Sequence, residues 1–115
     1  MTASPRMTLQ VQLVLDSLLA DPPRERYGLQ LCELTGLPSG TIYPILARLE
    51  QLSWVESTWE EPSRHVAEGR PRRRYYRLTG AGAGQARQAL ARVRRPAGRP
   101  RYGLITGTGI AEVTR

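Results

Sequence analysis

The sequence predicts a mainly α-helical fold with a small two-stranded antiparallel β-hairpin. Apolar residues recur at three- and four-residue spacing in several segments, proline and glycine separate these segments, and two alternating segments flank an arginine-rich loop. A chain of 115 residues can form one domain with a modest core. We expect that domain at 8–95, after a flexible arm at 1–7 and before a mobile tail at 96–115 that is rich in Gly, Pro and Arg.

The first predicted helix begins after Thr8, a suitable N-cap, and continues to about Ala20. Its apolar residues cover most of the helix circumference, and a helix that is apolar all round is buried all round. Either a second chain covers the side that a small domain leaves open, or both sides pack within one fold. The residues of this helix for which we predict dimer contacts are Leu9, Leu13, Leu15 and Leu18.

A tight turn joins the second and third predicted helices. The second helix is expected at about 27–35 with Gly36 as its C-cap, and Ser39 is expected as the N-cap of the third helix. Two helices joined in this way are typical of a helix-turn-helix, whose second helix usually enters the DNA major groove. The pattern alone is weak evidence, because many core helix pairs share it.

Pro44 lies near the start of the third helix, where it removes one backbone donor. The apolar positions of this helix fall on the other side, so we expect Pro44 on the surface. Backbone amides at a helix start attract phosphate, and short polar side chains there can reach base edges. Simple capping with a tolerated surface proline is the alternative. The candidate DNA-binding residues of this helix are Ser39, Gly40, Thr41, Tyr43 and Arg48.

Two strands are predicted at 54–60 and 73–79, where apolar and polar residues alternate. The segment between them is turn-rich and basic. A helix-turn-helix followed by a basic hairpin is a winged helix-turn-helix. Arginine on such a projection is suited to phosphate and to a narrow minor groove. The candidate DNA-binding residues of the hairpin tip are Arg70, Arg72 and Arg73.

Charge is distributed unevenly along the chain, whose formal net charge is +7. Residues 1–60 hold four Arg against seven acidic residues, whereas residues 61–115 hold thirteen Arg against three acidic residues. A basic excess in one half suggests a polyanionic partner, with nucleic acid ahead of a membrane surface. An arginine-rich surface that serves solubility alone is the other explanation.

Several classes of protein are disfavoured. The sequence has neither an apolar run of about eighteen residues nor a signal-peptide pattern, so we expect a soluble cytoplasmic protein without membrane association. Cys32 is the only cysteine, which suits a reducing compartment, and with His65 alone it cannot supply a zinc shell. No nucleophile accompanies His65, so we expect no catalytic site, no metal and no cofactor.

Three segments together have a distinctive content and order: YG at 27–28, LPSGTIYPILARLEQLSWVES at 37–57, and GRPRRRYYRLTGAG at 69–82. In these segments the chain resembles the PadR family of bacterial winged-helix transcriptional regulators. The resemblance implies a homodimer that binds operator DNA and usually represses transcription. It also implies that the first and C-terminal helices build the dimer interface, to which we assign Leu90 and Val93. A two-fold dimer in turn implies a near-palindromic operator.

The C-terminal part departs from the family pattern. Thr79 can cap a fourth helix, but Gly80, Gly82 and Gly84 weaken its first turns by roughly 1 kcal/mol each. Glycine and proline after Pro96 make a long continuing helix improbable, so we expect the larger dimerisation region of some family members to be missing. The arginines of the tail either touch DNA or stay solvated, and the second is favoured.

Other functions stay open at this point. Trp54 and Trp59 either line a pocket for a small aromatic effector between subunits or pack in the core and interface, and packing is favoured. A winged helix that binds RNA, or one that binds only a protein partner, is the alternative to an operator-binding regulator. RNA readers usually expose aromatic platforms, whereas the tyrosines here are expected in a strand.

Overall fold

The computed structural model describes residues 3–95, so the predicted tail lies outside the described residues. In this part of the chain, helices and strands follow one another in the order α1 (Leu9–Leu19), β1 (Arg26–Tyr27), α2 (Gly28–Thr35), α3 (Ser39–Gln51), β2 (Val55–Trp59), α4 (Pro62–Ala67), β3 (Arg74–Leu78) and α5 (Gly80–Val93). Within it, no helix has the length and apolar character needed to cross a membrane.

The core lies between the helices and one face of the sheet. As predicted, Thr8 caps α1, and its Oγ1 accepts a hydrogen bond from the backbone N–H of Val11 at 3.2 Å. The buried apolar side chains come from four of the helices and both longer strands, and the larger fully enclosed ones are Leu15, Leu18, Leu31, Ile42, Leu46, Leu49, Trp54 and Val55.

The sheet has three strands in the order β1-β3-β2, all antiparallel, so the predicted two-stranded hairpin is incomplete. The two predicted strands are confirmed, with Val55 opposite Leu78. The added strand, β1, pairs Arg26 with Tyr76. It is two residues long, which is too short for the alternation of polar and apolar side chains that identifies a strand in a sequence.

The helix-turn-helix is formed by α2, α3 and a turn at Gly36, whose left-handed backbone (φ 76°) suits glycine. Ser39 as the N-cap of α3 is wrong by one residue. Pro38 has the extended backbone of a cap (φ −73°, ψ 158°), and its carbonyl oxygen accepts hydrogen bonds from the N–H groups of Thr41 and Ile42. Ser39 is therefore the first helical residue.

The hairpin tip contains a helix, α4, that the turn-rich composition did not predict. Pro62 lies in its first turn, where the missing N–H group costs nothing and the fixed φ favours a helix. The helix has six residues, too few for an apolar period to show. We use "the wing" below for residues 55–78, which comprise β2, α4 and β3.

The fourth predicted helix is present as α5, capped by Thr79 through a 2.8 Å hydrogen bond from the N–H of Gly82. A Cβ atom at Gly82 would collide with the backbone carbonyl of Trp54. The glycine that costs helix propensity therefore allows α5 to approach the start of β2 closely.

The residues predicted at the dimer interface divide into two groups. Leu15, Leu18 and Leu90 are buried in the core of a single chain, so they are not available to a second chain in this conformation. Leu9 and Val93 are 68 % and 47 % exposed, and Leu13 is half-buried. The all-round apolar pattern of α1 did not show which side the same chain covers.

The arm expected to be flexible at 1–7 is packed at two of its residues. Pro5 is buried, and Met7 packs against the core. The backbone carbonyl of Met7 also accepts a 3.0 Å hydrogen bond from the side-chain amide of Gln12. These contacts hold Met7, just before α1, against the domain.

Candidate nucleic-acid interface

The N-terminal end of α3 presents small polar residues to solvent. Ser39 and Gly40 are exposed and Thr41 is half-buried, while Ile42 faces the core. Pro44 is exposed, which confirms its predicted surface position. The first turns of α3 therefore combine exposed polar groups with a backbone that proline stiffens.

Tyr43 lies at the edge of this surface and is 44 % exposed. Its phenol ring packs directly on Gly28 at the start of α2, where any Cβ atom would collide with the ring. Gly28 therefore makes room for Tyr43, a contact across the helix-turn-helix that sequence reasoning missed. The YG pair at 27–28 was the available signal, because glycine lets another group approach the backbone closely.

A cleft of about 500 Å³ separates the start of α2 and Tyr43 from the wing. It brings Tyr43 together with all three predicted arginines of the hairpin tip. Its walls are largely aromatic and cationic, and they include Tyr27, Tyr43, Trp59, Tyr76, Arg70, Arg72 and Arg73. Ser39, Gly40, Thr41 and Arg48 lie outside this cleft.

Two of the three arginines lie over aromatic rings. The guanidinium carbon of Arg73 is 4.1 Å from the ring centroid of Tyr27, and that of Arg72 is 5.6 Å from the ring centroid of Trp59. Such cation–π contacts orient a guanidinium without neutralising its charge. Across residues 3–95, neither Arg72 nor Arg73 forms an ion pair with a carboxylate. Both retain positive charge for an anionic partner.

Arg70 is placed differently. Its Nη1 and Nη2 donate to the two carboxylate oxygens of Glu60, each at 2.7 Å, and its Nε donates to Glu68 at 2.8 Å. The bidentate hydrogen bond from Arg70 lowers the pKa of Glu60 to about 2, against burial, which raises it. Arg70 is thus held by two carboxylates, and its assignment as a DNA contact stays a prediction with less support than those of Arg72 and Arg73.

A further polar cluster connects α3 to the sheet. Ser57 donates a 2.6 Å hydrogen bond to Glu50, near the end of α3, and Arg74 donates to Ser57 at 3.0 Å and to Glu50 at 3.3 Å. Sequence reasoning missed this cluster, because its members are up to 24 positions apart and carry no local pattern. It fixes the far end of α3 relative to the wing.

Arg48 lies on another groove, of about 280 Å³, between α3 and the residues before α1. Its side chain is exposed and donates a weak 3.4 Å hydrogen bond to Gln51. Pro5, Arg6 and Pro44 line the same groove. The structure therefore separates Arg48 from the arginines of the wing and places it beside Arg6.

The two tryptophans have different environments. Trp54 is 1 % exposed and belongs to the core, as the packing interpretation predicts. Trp59 is 54 % exposed and lines the cleft. For the described residues, no group of three or more His, Cys, Asp or Glu side chains has the arrangement of a metal site.

Comparisons with known proteins agree with this architecture. The family model of the transcriptional regulator PadR-like family matches residues 17–88. No curated protein matches the sequence significantly. Among solved structures, a PadR family transcriptional regulator from Eggerthella lenta DSM 2243 is 27 % identical with a TM-score of 0.58, over 72 % of this chain and 70 % of that chain.

Two further structures share the fold. The protein smu.1704 from Streptococcus mutans UA159 is 23 % identical with a TM-score of 0.61, over 85 % of this chain and 99 % of that chain. A PadR family transcription regulator from Clostridium difficile R20291 is 23 % identical with a TM-score of 0.54, over 72 % of this chain and 88 % of that chain. The family is one of transcription regulators and not of enzymes. From the extent of the family match, the chain belongs to the PadR-like family of transcriptional regulators.

Proposed function

We propose that this regulator is a bacterial cytoplasmic repressor that binds a specific operator in double-stranded DNA as a homodimer. The observation that carries the proposal is the shared cleft, in which Tyr43 from α3 faces the unpaired guanidinium groups of Arg72 and Arg73 from the wing. A duplex lying across the mouth of this cleft would contact Tyr43 of α3 and the arginines of the wing at once. Membership of a family of transcriptional regulators supports the same function.

In this proposal the tip of α3 enters the major groove. Ser39, Gly40 and Thr41 offer backbone N–H groups and hydroxyls at a helix start, where phosphate and base edges are both accessible. Tyr43 adds a phenol at the cleft edge, and Arg48 extends the contact by about one helical turn. Pro44 stiffens the turn that presents these groups.

Arg72 and Arg73 supply contacts to phosphate, which carry affinity but little sequence information. Their cation–π contacts with Trp59 and Tyr27 hold them ready before DNA arrives. Arg70 contributes less, because Glu60 and Glu68 already occupy its donors. The wing thus provides general affinity, and the helix tip provides discrimination between sequences.

The homodimer is assigned to the surface that carries Leu9 and Val93, the exposed members of the predicted interface. Arg94, which follows Val93, pairs with Asp16 at 2.7 Å and joins the end of α5 to α1. A two-fold dimer would place two α3 helices on half-sites about 34–36 Å apart, or a multiple of that. Sedimentation of Leu9→Glu and Val93→Glu should show monomers, whereas a wild type that is monomeric at micromolar concentration excludes the dimer.

A gel shift tests the function directly. The probe is duplex DNA from the region upstream of the protein's own gene, with a scrambled duplex and a single-stranded RNA of the same sequence as competitors. We expect a complex with the upstream duplex that the scrambled duplex and the RNA displace poorly. Equal competition by the RNA would favour an RNA-binding module, and no shift with any nucleic acid would favour a protein partner.

A further inference from the structure

Glu60 is the one charged side chain that is buried in the described residues, with 5 % exposure, and it lies in the most basic part of the molecule. It follows β2 directly, at the point where the chain leaves the sheet for the wing tip, the segment 60–73 that connects β2 to β3. Its carboxylate receives the fork of Arg70 through two 2.7 Å hydrogen bonds. An acid at this position is unexpected in a DNA-binding projection, because it repels phosphate.

The same residue also holds the other side of the tip. Its backbone carbonyl accepts a 2.7 Å hydrogen bond from Nε of Arg72. Its backbone N–H donates to the carbonyl of Arg73 at 2.8 Å, and its carboxylate accepts from the N–H of Arg73 at 3.3 Å and from the hydroxyl of Tyr75 at 3.4 Å. The backbone of Glu60 is therefore hydrogen-bonded to Arg72 and Arg73, and its carboxylate joins Arg70 to the backbone of Arg73 and to Tyr75 on β3.

We propose that Glu60 is a positioning residue for DNA binding, which holds the wing tip so that Arg72 and Arg73 face the cleft shared with Tyr43. The inference rests on the proposed DNA-binding function. Arg70 neutralises Glu60 through its bidentate hydrogen bonds, so in this proposal it acts mainly by holding the tip. Tip geometry fixed in advance lowers the ordering cost when the arginines meet phosphate.

The proposal and a simple count of charge predict opposite effects for the same substitution. Replacing Glu60 with Gln makes the protein more positive by one charge, which by electrostatics alone strengthens binding to DNA. The same change removes the buried one of the two counter-ions of Arg70, leaving only the exposed Glu68, and loosens the tip, which weakens binding. The sign of the change in affinity therefore decides between the two.

The matched control is Glu61→Gln. Glu61 is the next residue, is exposed, and undergoes the same change in charge. We would measure the dissociation constant for the upstream duplex by fluorescence anisotropy at several salt concentrations, well below the melting temperature of each variant. Glu61→Gln should bind as tightly as wild type or slightly more tightly. Glu60→Gln should bind about tenfold more weakly, the scale expected when a hydrogen bond to a charged group is lost.

The salt dependence separates positioning from a general loss of stability. Each phosphate contact that Arg72 or Arg73 loses should reduce the log–log salt slope by about 0.9. A variant that is merely less stable lowers the active fraction and leaves the slope unchanged. Glu60→Gln affinity equal to or above that of Glu61→Gln, or weaker binding with an unaltered slope, would overturn the proposal.

Arg70→Lys provides the second variant, and it decides the matter if Glu60→Gln does not fold. Lysine keeps the charge but cannot form the bidentate fork. We expect weaker binding and a lower salt slope although the net charge is unchanged, and wild-type binding would contradict the role of the pair. If the wild type itself binds no duplex, the proposed function fails; if the wild type binds and both variants match it, only the role of Glu60 fails.

Discussion

Helix α3 and the wing differ in how they carry charge. α3 has one arginine, Arg48, and its exposed tip is nearly uncharged. The wing has six arginines, three of which are in ion pairs: Arg70 with Glu60 and Glu68, Arg74 with Glu50, and Arg77 with Glu56. Charge counted in a sequence is therefore larger than charge available to a partner. In the wing, the paired arginines are neutralised by carboxylates and hold the fold together, so less positive charge remains for a partner.

The same contrast applies to the aromatic residues of the two regions. Tyr43 on α3 is half-exposed at the cleft edge, whereas Tyr76 on β3 is 6 % exposed and belongs to the core. Burial raises the pKa of the Tyr76 hydroxyl above its ordinary value. Two tyrosines that line one cleft thus serve different purposes, and substitutions should separate them.

The largest expected effect is that of Tyr76→Ala. Because the ring is buried between β1, β2 and the core, its loss should lower the free energy of unfolding by about 3–5 kcal/mol. Urea or thermal unfolding followed by circular dichroism measures the change. A loss below about 1 kcal/mol would mean that Tyr76 is not a core residue.

Tyr43→Ala should change binding more than folding. The side chain is partly exposed, so the free energy of unfolding should fall by only about 0.5–1 kcal/mol. Affinity for the operator should fall by about 1–3 kcal/mol if the phenol contacts base edges. Unfolding curves and binding isotherms on the same preparation test both values. If the variant unfolds, or if it retains its preference for the operator over a scrambled duplex, Tyr43 has only a packing role against Gly28.

The ion pair of the wing predicts a pH dependence. Arg70 holds the pKa of Glu60 at about 2, below its ordinary value of 4.5. A carboxylate whose pKa is lower in the folded state stabilises the fold fully above the unfolded pKa, and this contribution is lost as pH falls from about 4.5 towards 2. The melting temperature of wild type should therefore fall more steeply over this range than that of Glu60→Gln. Parallel profiles would contradict the pairing, and Glu61→Gln should follow wild type.

Pro44→Ala should have the smallest effect on stability. Alanine restores a backbone donor that can bond to the carbonyl of Gly40, so the fold should be unharmed or slightly stabilised. Operator affinity should nevertheless fall if the stiff first turn positions Thr41 and Tyr43. A variant that binds as tightly as wild type would leave Pro44 as a tolerated surface residue against the groove that Pro5 also lines.

Much of the fold could be predicted because its signals are local. The caps at Thr8, Gly36 and Thr79 and the spacing of apolar residues located four helices and two strands within a few positions. The two-residue strand β1 and the six-residue helix α4 were missed, since neither is long enough for a period to appear.

The functional surface was harder to predict for a different reason. Arg70, Arg72 and Arg73 are nearly adjacent in the sequence and look alike, and the difference between them depends on Glu60, at least ten residues earlier. In the same way, the burial of Leu15 and Leu18 and the exposure of Leu9 depend on which side of α1 the other elements cover. Which carboxylate pairs with an arginine, and which side of a helix is covered, depend on the three-dimensional fold and cannot be predicted from a local sequence pattern.

The most direct test of the central claim, that unpaired rather than total arginine in the wing supplies the affinity for DNA, is the salt slope of binding for Arg77→Ala beside Arg72→Ala. Both variants lose one positive charge from the wing, but Arg77 is paired with Glu56, whereas Arg72 has no carboxylate partner among the described residues. We predict that Arg72→Ala reduces the log–log slope by about 0.9, whereas Arg77→Ala, below its melting temperature, reduces it less. A larger reduction for Arg77→Ala than for Arg72→Ala would contradict the claim.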